Sequence, residues 1–189
     1  ELSHHLASIA EILFFLLGAM TIVELIDTHQ GFRIITSVIK TNSKVRLLWI
    51  ISILTFFLSA VLDNLTTSIV MVSLIRKLVD DKKDRLMMAS MIIIAANSGG
   101  AWSPIGDVTT TMLWIGSRVT AGNIISELFV PSLVSLLVPL IYQSFFLKGS
   151  FRNAGMHERQ QPPVPFSNTI FFLGIGVLIS VPFFKTITH

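Results

Sequence analysis

Long apolar stretches separated by short polar loops dominate the pattern of this chain. Five stretches stand out, at residues 6–26, 47–75, 86–116, 124–146 and 168–184. A helix rises about 1.5 Å per residue, so roughly 20 apolar residues cross the hydrocarbon core of a bilayer. The pattern therefore predicts an all-α membrane protein, with a first transmembrane helix over 6–28 and a later one over 123–147.

Residues 30–45 have the pattern of an amphipathic helix instead. Their apolar residues form one helical stripe and their basic and polar residues occupy the opposite side: Phe32, Ile35, Val38 and Ile39 against Arg33, Ser37, Lys40 and Lys44. Such a helix is expected to lie in the membrane interface, with its basic side toward the headgroups. Contact of this basic face with a protein partner is the alternative.

The second apolar stretch is too long for one crossing and is interrupted near its middle. As a single helix it would extend about 43 Å, against a hydrocarbon core of about 30 Å. Asp63 and Asn64 interrupt it, and basic residues stand at both of its ends. These features favour a re-entrant hairpin over residues 47–79 that turns at Asp63 and Asn64. One of these two residues is expected to cap the second limb.

The third apolar stretch is interrupted by a polar segment, residues 97–111, that contains three glycines, a proline and an aspartate. Backbone groups freed at membrane depth must be buried in protein or line a wet cavity. The sequence therefore predicts a broken transmembrane helix over 86–117. Its first half is expected to end near Asn97, and its second half is expected to begin at Val108, with Asp107 as the N-cap.

Basic residues in the loops predict the orientation. With the hairpin in place, residues 29–46 and 76–86 lie on one face and carry four and five Lys or Arg. Residues 147–166 return to that face with three more, whereas residues 117–123 on the other face have Arg118 alone. By the positive-inside rule the first face is cytoplasmic. A full crossing by residues 47–75 would remove this asymmetry.

The composition agrees with membrane insertion. Hydrophobic residues make up 52% of the chain, charged residues 13%, and the mean hydropathy is +0.74; soluble domains have roughly 25% charged residues. The net charge of +3 lies in short loops and reflects topology, so we expect the lipid bilayer as a partner and no nucleic acid. The chain begins without Met, and we expect it to be a fragment or processed piece.

Two aspartates at the interruptions, Asp63 and Asp107, are the candidate chemical groups. Ionisable side chains at membrane depth cost about 2.5 to 3.5 kcal/mol on insertion scales and usually face a cavity. Polar neighbours surround both of them: Asn64, Thr66, Thr67, Asn97, Ser98, Ser103, Thr109, Thr110 and Thr111. Carboxylate, amide, hydroxyl and carbonyl oxygens are ligands for a hard cation such as Na⁺ or Li⁺, and not for zinc or copper.

The same carboxylates can bind a proton, so competition between Na⁺ and H⁺ is sufficient for antiport. The expected ligands are these transported ions, with no resident cofactor. Glu24, near the end of the first helix, is a proton-path candidate; interfacial charge is the alternative. The two aspartates could also act only as helix N-caps, although capping and ion binding are compatible.

The two interrupted segments closely resemble NhaD-type Na⁺/H⁺ antiporters of the ion-transporter superfamily. They read S-A-V-L-D-N-L-T-T-S-I-V-M-V from Ser59 and A-N-S-G-G-A-W-S-P-I-G-D-V-T-T-T-M-L from Ala96. The resemblance implies two inverted repeats, each with a re-entrant hairpin and a broken helix, moving as an elevator. It implies an ion site made by Asp63, Asn64, Thr66, Thr67, Asn97, Asp107, Thr109 and Thr110.

The resemblance also implies a division of the chain. Residues 1–146 would be the first repeat, 148–166 a cytoplasmic linker and 167–189 the start of the following membrane region. No second copy of the two motifs follows, so a missing second repeat of the same protein is the expected partner, with a homodimer as a further assembly. The expected location is multi-pass in a bacterial inner membrane or a plastid envelope.

Two other functions stay open at this point. An anion transporter of the same superfamily would carry a dicarboxylate or arsenite, but neutral tips would suit an anion better than two acids. An intramembrane aspartyl protease would use Asp63 and Asp107 as a catalytic pair. However, Pro104 stands where its Gly-x-Gly-Asp motif has the first glycine, and no Pro-Ala-Leu follows.

Overall fold

A computed structural model describes residues 2–31, 41, 43–150 and 166–188, and the described part of the chain is mostly helical. Its helices are α1 Leu2–Thr28, α2 Lys44–Ser59, α3 Asn64–Leu78, α4 Lys82–Ala101, α5 Val108–Ile115, α6 Ala121–Phe146 and α7 Ser167–Thr188. The prediction of an all-α protein is confirmed. The interfacial helix expected at 30–45 and the linker expected at 148–166 lie for the most part outside the described residues.

The helix bounds differ from the predicted segments mainly at their starts. α1 begins at Leu2 rather than at residue 6, and α4 begins at Lys82 rather than at residue 86. α2 begins at Lys44, inside the segment assigned to the interfacial helix. Ser43 explains this start, because its hydroxyl accepts a hydrogen bond from the backbone N–H of Arg46 at 3.4 Å as an N-cap.

α2 and α3 form a helical hairpin that packs on α4. The start of α2 meets the start of α4 through an ion pair between Lys44 and Asp84. Near their ends, the Ser59 hydroxyl donates to the carbonyl of Ala96 at 2.6 Å. α2 and α4 are therefore parallel, and α3, joined to each by a short turn, runs antiparallel to both.

The core lies between this hairpin, α4 and α6. Its fully buried side chains come from all four helices: Leu48, Ile51 and Phe56; Met71 and Ile75; Met88, Met91 and Ile92; Leu136 and Leu140. Protein interiors are closely packed, and these side chains fill the space between the four helices. α1 packs on α7 and on α5, at the edge of this core.

Asp81 caps the start of α4 in the turn between α3 and α4. Its carboxylate accepts hydrogen bonds from the backbone N–H groups of Lys83 and Asp84, both at 2.9 Å. The bond from Asp84 is the main cause that holds the pKa of the Asp81 carboxyl below its ordinary value. Hydrogen bonds to the charged form of a carboxyl favour that form.

The break after α4 comes later than the sequence predicts. α4 continues through Asn97 and its two following glycines to Ala101, and the irregular segment is residues 102–107. The expectation that the first half-helix ends near Asn97 is therefore wrong. Gly99 and Gly100 are buried inside the helix, where they allow close approach of other backbone rather than ending the helix.

The outer surface is strongly apolar. In the described part of the chain, α6 is the one helix long and apolar enough to span a membrane by length and composition, although it contains Pro131 and Pro139. Shorter apolar helical segments are Leu13–Ile26, Asn64–Arg76 and Ser167–Ser180. Large side chains such as Phe14 and Phe145 are 75% and 70% exposed, which suits contact with lipid.

Candidate ion site at the hairpin tip and the broken helix

The hairpin tip, residues 60–63, crosses the break, residues 102–107, at backbone contact. A Cβ atom on Gly106 would lie 2.4 Å from the carbonyl oxygen of Ser59, so no larger residue fits without a shift. The backbone N–H of Asn64 donates to the carbonyl of Gly106 at 3.1 Å. The Ser103 hydroxyl donates to the carbonyl of Ala60. Tip and break therefore satisfy each other's freed backbone groups.

The Asn64 side chain bonds to two other predicted site residues. Its side-chain Nδ2 donates to Oδ2 of Asp107 at 2.7 Å and to Oδ1 of Asn97 at 3.2 Å. Asn97, on the last turns of α4, in turn donates from Nδ2 to the carbonyl of Ile93 at 2.8 Å. One residue from the hairpin, one from α4 and one from the break thus form a single polar cluster.

Asp107 is held on both carboxylate oxygens. Its Oδ1 accepts a hydrogen bond from the backbone N–H of Thr109 at 2.8 Å, which makes Asp107 the N-cap of α5. Its Oδ2 accepts a hydrogen bond from Asn64. The Thr110 hydroxyl lies 2.9 Å from the carbonyl oxygens of both Ser103 and Asp107. The prediction that Asp107 caps the second half-helix is confirmed.

Asp63 is held on one oxygen and borders a cleft. Its Oδ1 accepts the backbone N–H of Thr66 at 2.8 Å, which confirms it as the N-cap of α3. The cleft lies between the tip, the break, α1, α5 and α7. Its other walls are apolar except for one hydroxyl: Phe15, Ala19, Met20, Val23, Val61, Leu62, Ile105, Val108, Thr111 and Leu178.

The remaining predicted residues lie in different surroundings. Thr67 is fully buried, and its hydroxyl makes no hydrogen bond in the described structure. Thr66 is half-buried and Thr109 exposed, and both contribute backbone N–H groups to the caps. Glu24 is exposed on α1 and is absent from the walls of the cleft beside Asp63.

The predicted site residues around the tip offer oxygen donors. Among the described residues, no group of three or more His, Cys, Asp or Glu side chains could hold a metal ion together. A cation at the tip would therefore depend on one or two carboxylates completed by amide, hydroxyl and backbone oxygens. Those are ligands for hard cations.

The role of the residues that join the tip to the break was not predicted from the sequence. Ser59, Ser103 and Gly106 bring the two segments together, and only the glycine gave a signal, as a position where backbone can approach closely. The walls that α1 and α7 give to the cleft had no sequence signal, because they depend on how distant helices pack.

A helical hairpin whose capped tip meets a broken helix, inside an apolar surface, defines an integral membrane protein with a polar site at the tip. The chain belongs to the citrate transporter (CitMHS) family, whose model matches residues 6–188. The family is described as one of transporters and the relatives are named as antiporters, so neither supports the aspartyl protease hypothesis. No solved structure matches the chain.

Several curated relatives have names that agree with the predicted resemblance, which is confirmed. "Sodium/proton antiporter 1" and "Sodium/proton antiporter 2" of Arabidopsis thaliana are 48% and 46% identical over 190 and 194 residues, covering 100% of this chain. The "Na(+)/H(+) antiporter NhaD" of Alkalimonas amylolytica is 38% identical over 148 residues, 77% of this chain. The chain spans 33%, 46% and 30% of the lengths of these three relatives.

Proposed function

We propose that this chain is part of a secondary transporter that exchanges Na⁺ or Li⁺ for H⁺ across a membrane. The observation that carries the proposal is the contact of Asn64 with Asp107, which joins two acid-capped helix starts in one polar cluster. The names of the relatives support the same exchange. A carboxylate at the tip binds either a proton or a metal cation, so binding of one ion releases the other.

The proposed transport site consists of the eight predicted residues: Asp63, Asn64, Thr66, Thr67, Asn97, Asp107, Thr109 and Thr110. Asp63 and Asp107 supply charge, and the amides and hydroxyls supply neutral oxygens. The negative end of α4 faces the break, which offsets part of the positive ends of α3 and α5. Glu24 stays a proton-path candidate on α1; it follows Val23 of the cleft wall but does not itself line the cleft.

In this proposal, residues 1–146 form one of two inverted repeats and the α2–α3 hairpin is re-entrant. The close packing of the antiparallel α2–α3 hairpin on α4 supports this arrangement, because a tip buried against a break needs no lipid-exposed backbone. A second repeat in a longer protein would complete the ion site, and the repeats would move as an elevator, with a homodimer as the wider assembly. The membrane would be a bacterial inner membrane or a plastid envelope.

The test is exchange by the full-length protein in sealed proteoliposomes. Addition of Na⁺ or Li⁺ should dissipate an imposed pH gradient, and K⁺ is the control cation. The double variant Asp63→Asn/Asp107→Asn should abolish the signal while the protein still folds and inserts. Unchanged dissipation in that double variant would overturn the site assignment.

Anion transport is a second candidate, because the matching family is described as a citrate transporter. A dicarboxylate or arsenite would, however, meet an aspartate at each of the two helix starts, and like charges repel. Sodium-dependent uptake of labelled succinate or citrate into the same proteoliposomes would favour this candidate. Absence of uptake alongside cation-driven proton movement would remove it.

A further inference from the structure

We propose that the two aspartates have separate roles: Asp63 exchanges the transported ions, which reach it through the cleft between α1 and α7, and Asp107 is a positioning residue. This inference rests on the proposed function and assigns the work within its site. It follows from the different hydrogen bonding of the two carboxylates and from the side of the tip that each one faces.

The carboxylates of Asp63 and Asp107 differ in the number of hydrogen bonds that they already accept. Both oxygens of Asp107 already accept bonds, one from the Thr109 backbone and one from Asn64 at 2.7 Å. Asp63 accepts one bond, from Thr66, and its Oδ2 accepts none within the described structure. Oδ2 of Asp63 can offer all of its lone-pair capacity to a cation, whereas each oxygen of Asp107 already has part of that capacity engaged by a protein donor.

The two aspartates also differ in whether they line the cleft. Asp63 lines the cleft bounded by Phe15, Ala19 and Met20 of α1 and by Leu178 of α7, whereas Asp107 is absent from its walls. Asp63 is the one charged residue among the described lining residues, and the Thr111 hydroxyl adds a second oxygen. The carboxylate of Asp63 is therefore the one group among these residues whose net charge attracts a cation.

Asp107 instead connects two helix starts. Its bond to Asn64 ties the start of α5 to the start of α3, and Asn64 also reaches Asn97 on α4. Loss of this charge should disturb the geometry of the tip rather than remove the exchanging group. An asparagine at 107 retains a side-chain oxygen that can accept from a donor.

Cysteine labelling tests access directly, and this chain contains no cysteine of its own. Ala19→Cys places a thiol in the cleft wall, and Gly18→Cys is the matched control, because Gly18 is exposed and its added Cβ would meet nothing within 4 Å. Both are made in the full-length protein with any other cysteines replaced. A membrane-impermeant cationic methanethiosulfonate should modify position 19, and the thiol at 18, facing lipid, should stay unmodified.

Na⁺ protection identifies the binding carboxylate. Saturating Na⁺ should slow modification of Ala19→Cys by at least about fivefold relative to K⁺. Asp63→Asn should abolish this protection and the preference for a cationic over an anionic reagent, and Asp107→Asn should retain both. Equal loss in the two variants, or no reaction at position 19, would overturn the inference.

Transport kinetics supply a second readout. Asp63→Glu should change the KM for Na⁺ by at least about fivefold and move the pH midpoint of exchange, because it displaces the exchanging group. Asp107→Asn should lower kcat with the KM and the pH midpoint within about twofold of wild type. The reverse pattern would exchange the two roles and refute the proposal.

These experiments separate the two proposals. If the wild-type protein moves no protons on Na⁺ addition, the antiport proposal fails. The labelling result still decides whether a cation binds Asp63. If wild type exchanges ions but Asp107→Asn behaves like Asp63→Asn, only the separation of roles fails.

Discussion

Asn64 is the residue on which the tip and the break depend. Its backbone N–H bonds to Gly106, and its side chain bonds to Asp107 and Asn97, so one residue contacts both parts of the broken helix. An amide suits this position because its NH₂ group offers two donors. A carboxylate there would offer none and would add a third negative charge.

Replacement of Asn64 by leucine should destabilise the protein. The change leaves Asp107 Oδ2 without its donor, and losing a hydrogen bond to a charged group costs about 1.5–3 kcal/mol. Thermal unfolding of the full-length protein in detergent measures the effect. Leu65→Ala is the control, since Leu65 is 63% exposed and should change stability by about 0.5 kcal/mol or less. Equal stability of the two variants would contradict the role of Asn64.

The residue scale is also where sequence reasoning succeeded. Asp63 and Asp107 were recognisable as helix caps, because capping is a local rule that depends on a few neighbouring residues. Their joining through Asn64 was not readable, because it links residues 43 positions apart. The second hydrogen bond of the Asp107 carboxylate depends on that tertiary contact.

At the scale of elements, glycine packing fixes how the hairpin lies on α4. A Cβ on Gly99 would lie 2.1 Å from the carbonyl oxygen of Phe56, and one on Gly100 would lie 2.4 Å from that of Gly106. α4 therefore approaches the backbone of both α2 and the break. The sequence suggested that these glycines end the helix, because a helix interior rarely favours glycine. Their contacts with distant backbone explain why α4 continues to Ala101.

Gly99→Ala should lower the free energy of unfolding by about 1–3 kcal/mol, the usual cost of forcing extra volume into a packed interior. Alanine is intrinsically the better helix former, so a loss of stability would show that the added Cβ clashes with the backbone of α2. Gly122→Ala on α6 is the matched control, because nothing lies within 4 Å of its added Cβ. A stabilised Gly99→Ala variant would show that α2 and α4 are not in backbone contact.

The cap at the start of α4 should respond to acid. Because the pKa of Asp81 is lowered, mainly by its bond from the Asp84 N–H, its stabilising effect is present at neutral pH. That effect is lost as the pH falls through the pKa of Asp81 in the folded protein, below about pH 4. The protection of the Lys83 and Asp84 amides from hydrogen exchange, relative to the intrinsic rate at the same pH, should then fall. Asp81→Asn keeps an acceptor oxygen and should show no such acid step; an identical step in that variant would exclude Asp81 as its source.

At the scale of the whole molecule, the length of the apolar stretches and the composition were sufficient to predict a helical membrane protein. Helix ends were less accurate, as at Lys44 and Lys82, because caps and packing set them. The approach of α1 and α7 to Asp63 could not be predicted, since no local pattern specifies which distant helices meet. The structure thus adds a cleft beside Asp63 that no local sequence pattern predicts.

Competition between Na⁺ and H⁺ is the central claim, and the pH dependence of Na⁺-driven exchange tests it most directly. The full-length protein in proteoliposomes should show a KM for Na⁺ that rises as pH falls, by up to about tenfold per pH unit, with the maximal rate at saturating Na⁺ retained. Asp63→Asn should abolish the exchange. A KM for Na⁺ that does not change with pH, or exchange that persists in Asp63→Asn, would contradict the account.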